Sequence, residues 1–376
     1  MSAASVAEPC ALVGLDNGQL TLVSITSGKI IKFFDGHSDW ILALEAHWPS
    51  MRAVSGGGDG SVYLWDLATG TGHQLAPSDG VRSCIRTIAA EWEPPRTERT
   101  TSPRERAGSA TSPSASLALA SGGGSTMLPA CDSNRGRVLT GADSGRLAIW
   151  SLETHRCEKV LDFRLGIIAS LAVDWTRLRA LVGHGDTGLD LLDLEAGTRI
   201  RSLPGHKCIV GATAVSWSKA FALCGSGDGT LLLWDLRKGT QAKNLRGSSG
   251  AVSAVSAQWS SMRGATGATD GVVRLWNLHK GECLRALQGH AAPIQALAAA
   301  WDKGFLLSNS ADGSIFLWRI GIIGKSSKSK TTEALEEEAT SDKPVLSTNC
   351  AGAVTIAFCP EFSELPQDAP AGGAAP

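Results

Sequence analysis

Trp217, Trp259 and Trp301 sit 42 residues apart, and Trp234, Trp276 and Trp318 keep the same spacing. Asp186, Asp228, Asp270 and Asp312 step by 42 as well. A fixed period in the forties means one supersecondary unit copied along the chain, with each copy burying its apolar surface against its neighbours. The fold must therefore be an array, and an array's function resides on the surfaces its turns present.

Each copy opens with a short apolar, alanine-rich segment, as in 40–46, 167–173, 209–215, 252–257 and 294–300. A second apolar stretch follows, then a tight turn such as Asp59-Gly60, Asp228-Gly229 or Asp312-Gly313. The third stretch alternates and ends in tryptophan, as in Val62-Tyr63-Leu64-Trp65 and Val273-Arg274-Leu275-Trp276. A glycine turn then leads to a fourth stretch such as 284–287. Short alternating runs bounded by Asp/Gly turns are antiparallel strands in a meander. Counting third strands gives seven copies, two with Val23 and Leu192 where the others carry tryptophan. The first copy lacks its opening strand, and 353–359 near the far end parallels 251–257. The pattern predicts an all-β, seven-bladed propeller of four-stranded antiparallel blades. The C-terminal strand is expected to complete the N-terminal blade and so remove an exposed edge.

Gly36-His37 with Trp65-Asp66, Gly205-His206 with Trp234-Asp235, and Gly289-His290 with Trp318 resemble the WD-repeat family. The resemblance covers nearly the whole chain outside two insertions and the ends. It implies a structural hydrogen-bond network in which histidine, aspartate and tryptophan meet a Ser or Thr of the second strand. The sets are His37, Asp59 and Trp65; His206, Asp228 and Trp234; and His290, Asp312 and Trp318. Where histidine is missing, at Ser248-Ser249-Gly250, a weaker network is expected. A second tryptophan series, Trp48, Trp92, Trp175, Trp217, Trp259 and Trp301, ends the inner strands and reads as blade-to-blade packing.

One propeller is expected over residues 10–360, with a Pro/Ser/Gly/Arg-rich disordered insertion at 93–135 in the third blade. A charged insertion at 322–343 interrupts the last blade, and a flexible tail covers 361–376. In a four-strand meander the first-to-second and third-to-fourth connections share one face. Both insertions therefore leave from the same side, and the opposite, compact face carries the Gly-His segments and Asp-Gly turns.

The formal net charge is −1, so no global field favours nucleic acid or an acidic membrane surface. No apolar run reaches the roughly 18 residues of a membrane-spanning helix, and residues 1–10 do not read as a secretory signal. Nine scattered cysteines without a Cys-x-x-Cys pair argue against a disulfide framework or a metal site and for the cytoplasm or nucleus. No cofactor is expected.

Recurrence of the His/Asp/Trp sets argues against catalysis, which needs one asymmetric constellation. Gly56-Gly57-Gly58-Asp59-Gly60 lacks the Gly-Lys-Ser/Thr ending of a phosphate loop. The chain is thus expected to be a non-catalytic scaffold for protein partners, monomeric within a larger complex. Trp40 beside Asp39 is the candidate anchor on the compact face, with Arg82 and Lys207 in corresponding loops. The alternative is that Trp40 packs against a neighbouring blade. Trp234-Asp235-Leu236-Arg237 resembles the box by which substrate receptors of cullin-type ubiquitin ligases meet their adaptor, with Arg237 as donor. An RNA-processing or ribosome-associated propeller is a further alternative. Ser102 and Ser112, each before proline, are candidate phosphorylation sites.

Overall fold

The computed structural model describes residues 9–77, 83–92, 136–185, 188–321 and 343–359. These form seven four-stranded antiparallel sheets. The only helical element among the described residues is a single 3₁₀ turn, Trp48–Ser50. Blade one joins strands Cys10–Leu15, Leu20–Ser24 and Ile30–Phe34 to the C-terminal strand Ala353–Phe358. The register there runs from Ala11 opposite Phe358 to Gly14 opposite Thr355, so the two chain ends close the ring. Blades two to seven follow in chain order over 41–74, 85–162, 168–202, 210–245, 252–287 and 294–349. The fourth strand of the last blade is Leu346–Asn349.

Tryptophan fills the gap between blades where the third strand ends. Trp65, Trp150, Trp234, Trp276 and Trp318 are all essentially inaccessible, and the smaller Val23 and Leu192 are equally buried in blades one and four. Burying one such ring side chain contributes on the order of 2–3 kcal/mol.

A second lock joins neighbouring blades. A glycine in the second strand of six blades faces the first β-branched residue of the next inner strand. A Cβ on Gly56 would stand 2.4 Å from Ile85 Cγ2, and one on Gly225 would stand 2.4 Å from Val252 Cγ1. At the closing junction the pair is reversed in size: Asn309 replaces the glycine and faces the small Ala353, whose carbonyl accepts from Asn309 Nδ2 at 3.3 Å. Glycine with Ile or Val, or asparagine with alanine, fills the same space.

Long cations of the outer strands reach the next blade's turn. Lys32 Nζ donates to the Ala68 carbonyl at 2.9 Å, Lys159 Nζ to that of Glu195 at 2.9 Å, and Arg201 Nη1 to that of Arg237 at 3.3 Å. The inner-strand tryptophans also bond backwards, Trp92 Nε1 to Glu45 at 3.4 Å and Trp301 Nε1 to Ser256 Oγ at 3.1 Å. The expected blade-to-blade role of this series holds at those two junctions.

The candidate interaction faces

The meander sends two kinds of turn to each face. The upper face carries the Gly-His segments and the Asp-Gly turns; the lower face carries the turns that follow the inner and third strands. Residues 93–135 and 322–342 continue from lower-face strand ends, and their structure lies outside the described residues. The disordered insertion expected at 93–135, the charged insertion as far as residue 342, Ser102 and Ser112, and the tail expected at 361–376 therefore fall outside the described residues, as do Arg82 and Asp186.

On the upper face, blade two holds the complete network. Trp65 Nε1 donates to Ser55 Oγ at 2.7 Å, His37 Nε2 lies 2.7 Å from the same oxygen, and His37 Nδ1 lies 3.1 Å from Asp59 Oδ1. Burial holds the His37 imidazole below its ordinary pKa against the opposing pull of Asp59. A neutral ring with Nδ1–H can donate to Asp59 while Nε2 accepts from Ser55. Burial alone would raise the Asp59 carboxyl, but the Ser61 hydroxyl and the Ser38 and Ser61 amides hold it down at about 2. The network thereby pins the loop that carries Asp39 and Trp40.

Blade seven keeps most of this arrangement. Ser308 Oγ lies 2.7 Å from His290 Nε2 and accepts from Trp318 Nε1 at 2.8 Å, while His290 Nδ1 meets Ser314 Oγ at 2.6 Å. Burial, opposed by Asp312, lowers His290 to about 4.

Blade five departs from expectation. Its second strand places Cys224, fully buried, where blades two and seven have Ser55 and Ser308. His206 Nε2 and Trp234 Nε1 are buried without a hydrogen-bond partner among the described residues. Only the outer half survives: His206 Nδ1 lies 2.9 Å from Thr230 Oγ1, which donates to Asp228 at 2.6 Å. The His206, Asp228 and Trp234 set is therefore not one continuous network, because a thiol does not supply the bridging hydroxyl.

Blade six, without histidine, is not left weak. Arg274 grips Asp270 with two bonds of 3.1 and 2.8 Å, and Ser249 Oγ adds a third at 2.7 Å. Burial opposes ionisation of Asp270, yet these donors bring its carboxyl down to about 2. Blade four buries a different group, with His184 Nε2 3.3 Å and Arg199 Nε 2.9 Å from Asp190 Oδ2.

Trp40 is 51% exposed. Asp39 Oδ1 accepts from the Trp40 amide at 2.8 Å, and the Trp40 carbonyl accepts from the Gly58 amide at 2.8 Å. A rigid backbone thus holds an open indole. The same position, immediately ahead of the inner strand, carries Ile167 in blade four and Ile209 in blade five, 37% and 36% exposed. Those two isoleucines escaped the sequence reading, although their 42-residue spacing was a usable signal.

Within this ring each inner strand begins with a bulge, and the bulged residues, among them Leu42, Arg86, Gly211, Ser253 and Gln295, line the channel mouth. The cavity there is about 270 Å³. Arg86 forms a two-point ion pair with Asp143. Lys207 shares the upper face with Asp39 and Trp40, and its amide donates to Asp228 at 3.0 Å while its side chain is exposed.

Arg237 stands on the lower face, apart from the other candidates. Its Nη2 donates to the Ser218 carbonyl at 3.4 Å, and its own amide donates to Asp235 at 3.0 Å. Among the described residues, no group of three or more His, Cys, Asp and Glu side chains is arranged to hold a metal ion. Among the described residues, no helix is long and apolar enough to cross a membrane.

The sequence pattern of the WD domain, G-beta repeat family matches residues 28–66, 197–235, 239–277 and 281–319. The chain is 39% identical over 59 residues to eukaryotic translation initiation factor 3 subunit I of Bombyx mori, which is 15% of this chain and 18% of that protein. The same subunit of Anopheles gambiae is 32% identical over 59 residues, with the same shares. The aligned stretch thus spans less than a fifth of the length of these relatives. A solved structure of the computationally designed Ika8 protein superposes with a TM-score of 0.57 at 24% identity, covering 83% of this chain and 80% of that one, a likeness of fold alone. With four repeats matched and seven four-stranded blades closed into a ring, the chain belongs to the WD-repeat β-propeller family.

Proposed function

We propose that the chain is a non-catalytic scaffold that docks a protein partner on its upper face. The observation that carries this reading is Trp40, half exposed on a loop locked by the His37–Asp59–Ser55–Trp65 network. An aromatic held open on a rigid frame loses little conformational entropy on binding, which is the property of an interface anchor. Ile167 and Ile209 extend the apolar ring around the channel mouth, with Lys207 and Asp39 as polar rim. Affinity purification of the intact chain against Trp40→Ala tests it. Partners held by the parent and lost by a folded variant support the reading; an unchanged set of partners overturns it.

A second reading is a ribosome-associated propeller, favoured by the similarity to translation initiation factor 3 subunit I. Co-sedimentation of the chain with small ribosomal subunits in a sucrose gradient supports it. A chain found only in light fractions under conditions that preserve initiation complexes counts against it.

A further inference from the structure

The lower face holds a groove between blades four and five, about 360 Å³ in volume. Four arginines line it: Arg177, Arg179, Arg201 and Arg237. Its floor is apolar, built from buried Leu191, half-buried Trp217 and Ile200, the last 42% exposed. The one acid in the lining, Asp174, is already engaged, accepting from the Thr176 hydroxyl at 2.5 Å and from Arg177 Nη1 at 3.1 Å. The Arg201 and Arg237 side chains bond only to backbone carbonyls, and the Arg179 side chain has no hydrogen bond or ion pair among the described residues. On a chain whose net charge is −1, four guanidinium groups line one groove, and three of them, Arg179, Arg201 and Arg237, have no ion pair among the described residues.

We infer that this groove binds an acidic peptide segment of a partner protein, with carboxylates paired to the arginines and an aliphatic side chain against Ile200 and Trp217. Guanidinium forks match carboxylates geometrically and are less strongly hydrated than ammonium groups, so pairing costs less desolvation. Single-stranded RNA is the competing occupant for a basic groove. It requires a run of aromatic platforms for successive bases, whereas this floor offers one half-buried indole among aliphatic side chains. The inference rests on the reading of the chain as a scaffold but uses the face opposite Trp40.

The test is fluorescence anisotropy of a short fluorescein-labelled peptide of alternating glutamate and leucine, titrated with the full chain. Peptides of alternating lysine and leucine, and oligouridylate, are run alongside. Binding of the acidic peptide is expected to weaken about fivefold or more in Arg179→Glu and in Arg237→Glu, since each reversal replaces a screened attraction by a repulsion. Lys29→Glu, an equal charge change away from the groove, and Trp40→Ala are expected to leave it unchanged. Tighter binding of oligouridylate, equal binding of the lysine peptide, or equal weakening by Lys29→Glu overturns the inference. Because Trp40→Ala reads the upper face alone, failure of the groove and failure of the scaffold reading remain distinguishable.

Discussion

Replacing Cys224 by serine should stabilise the protein, an unusual outcome for a fully buried position. In blade two, Ser55 Oγ accepts from Trp65 Nε1 and reaches His37 Nε2, both at 2.7 Å, and in blade seven Ser308 makes the same two contacts at 2.8 and 2.7 Å. In blade five the corresponding Trp234 Nε1 and His206 Nε2 have no hydrogen-bond partner among the described residues. The near-isosteric Cys224→Ser supplies the missing oxygen on the same backbone register, so two buried groups gain bonds together. At about 1 kcal/mol net for each bond, the gain is about 2 kcal/mol. Exchanging a buried thiol for a more polar hydroxyl costs about 1 kcal/mol of that. The net is about 1 kcal/mol, which for a chain of this size raises Tm by roughly 1–2 °C. Thermal unfolding followed by circular dichroism reads the shift, and hydrogen exchange at the Trp234 indole reads the bond itself. The reverse change, Ser55→Cys, should cost about 2 kcal/mol, because it leaves two buried groups unpaired. A Cys224→Ser protein with lower stability and unchanged indole exchange would refute the account of the broken network.

Gly225→Ala should destabilise by about 1–3 kcal/mol, since its Cβ would stand 2.4 Å from Val252 Cγ1; adding Val252→Ala should cost less than the sum of the two changes, as urea unfolding of the cycle would show. Glu45 gives a pH dependence. Burial raises its carboxyl from 4.5 to about 7 against bonds from the Ala90 amide and the Trp92 indole, so the folded chain keeps a proton that the unfolded chain has lost. Stability from this group therefore falls as pH rises from about 4.5 to 7, by about 1–2 kcal/mol after allowing for its partial exposure. Urea unfolding at a series of pH values should show Glu45→Gln removing that decline, and parallel profiles would contradict it. Finally, Cys10, which opens the first strand, and Cys359, which directly follows the C-terminal strand, lie side by side where the ring closes, the Cys359 amide donating to the Cys10 carbonyl at 3.0 Å and both side chains buried in one cluster. Hydrogen peroxide, taking two electrons and the two thiol protons and leaving as two waters, should join them. Contact with Cys359 and burial hold the Cys10 thiol well above its usual range, so the reaction should be slow. Non-reducing peptide mapping would find the cross-linked peptide, and its absence after prolonged oxidation would contradict the pairing.

The fold was legible because a 42-residue repeat ties each tryptophan and aspartate to a fixed place in a blade. The parallel between 251–257 and 353–359 even located the strand that closes the ring. Chemistry within a position that recurs from blade to blade was harder to read. His206, Asp228 and Trp234 look like a complete set, and only the register that places Cys224 between them shows the break. Arg274 posed the opposite problem, since an arginine in a third strand gives no sign that it stands in for a missing histidine until its two bonds to Asp270 are seen. The lower-face groove gathers Arg177, Arg179, Arg201 and Arg237 from separate turns and strands of two blades. Their spacing along the chain reflects loop lengths, and only the meander brings them together. Trp40 was recognisable as lying outside both tryptophan series, but its exposure depends on how the Gly-His loop is pinned.

Hydroxyl-radical footprinting of the chain, free and with a captured protein partner, tests the scaffold account most directly. The account predicts strong protection of the Trp40 indole together with Ile167 and Ile209, while Trp65 and Trp318, already buried, stay unchanged. Partner binding that leaves Trp40 as reactive as in the free chain would contradict it.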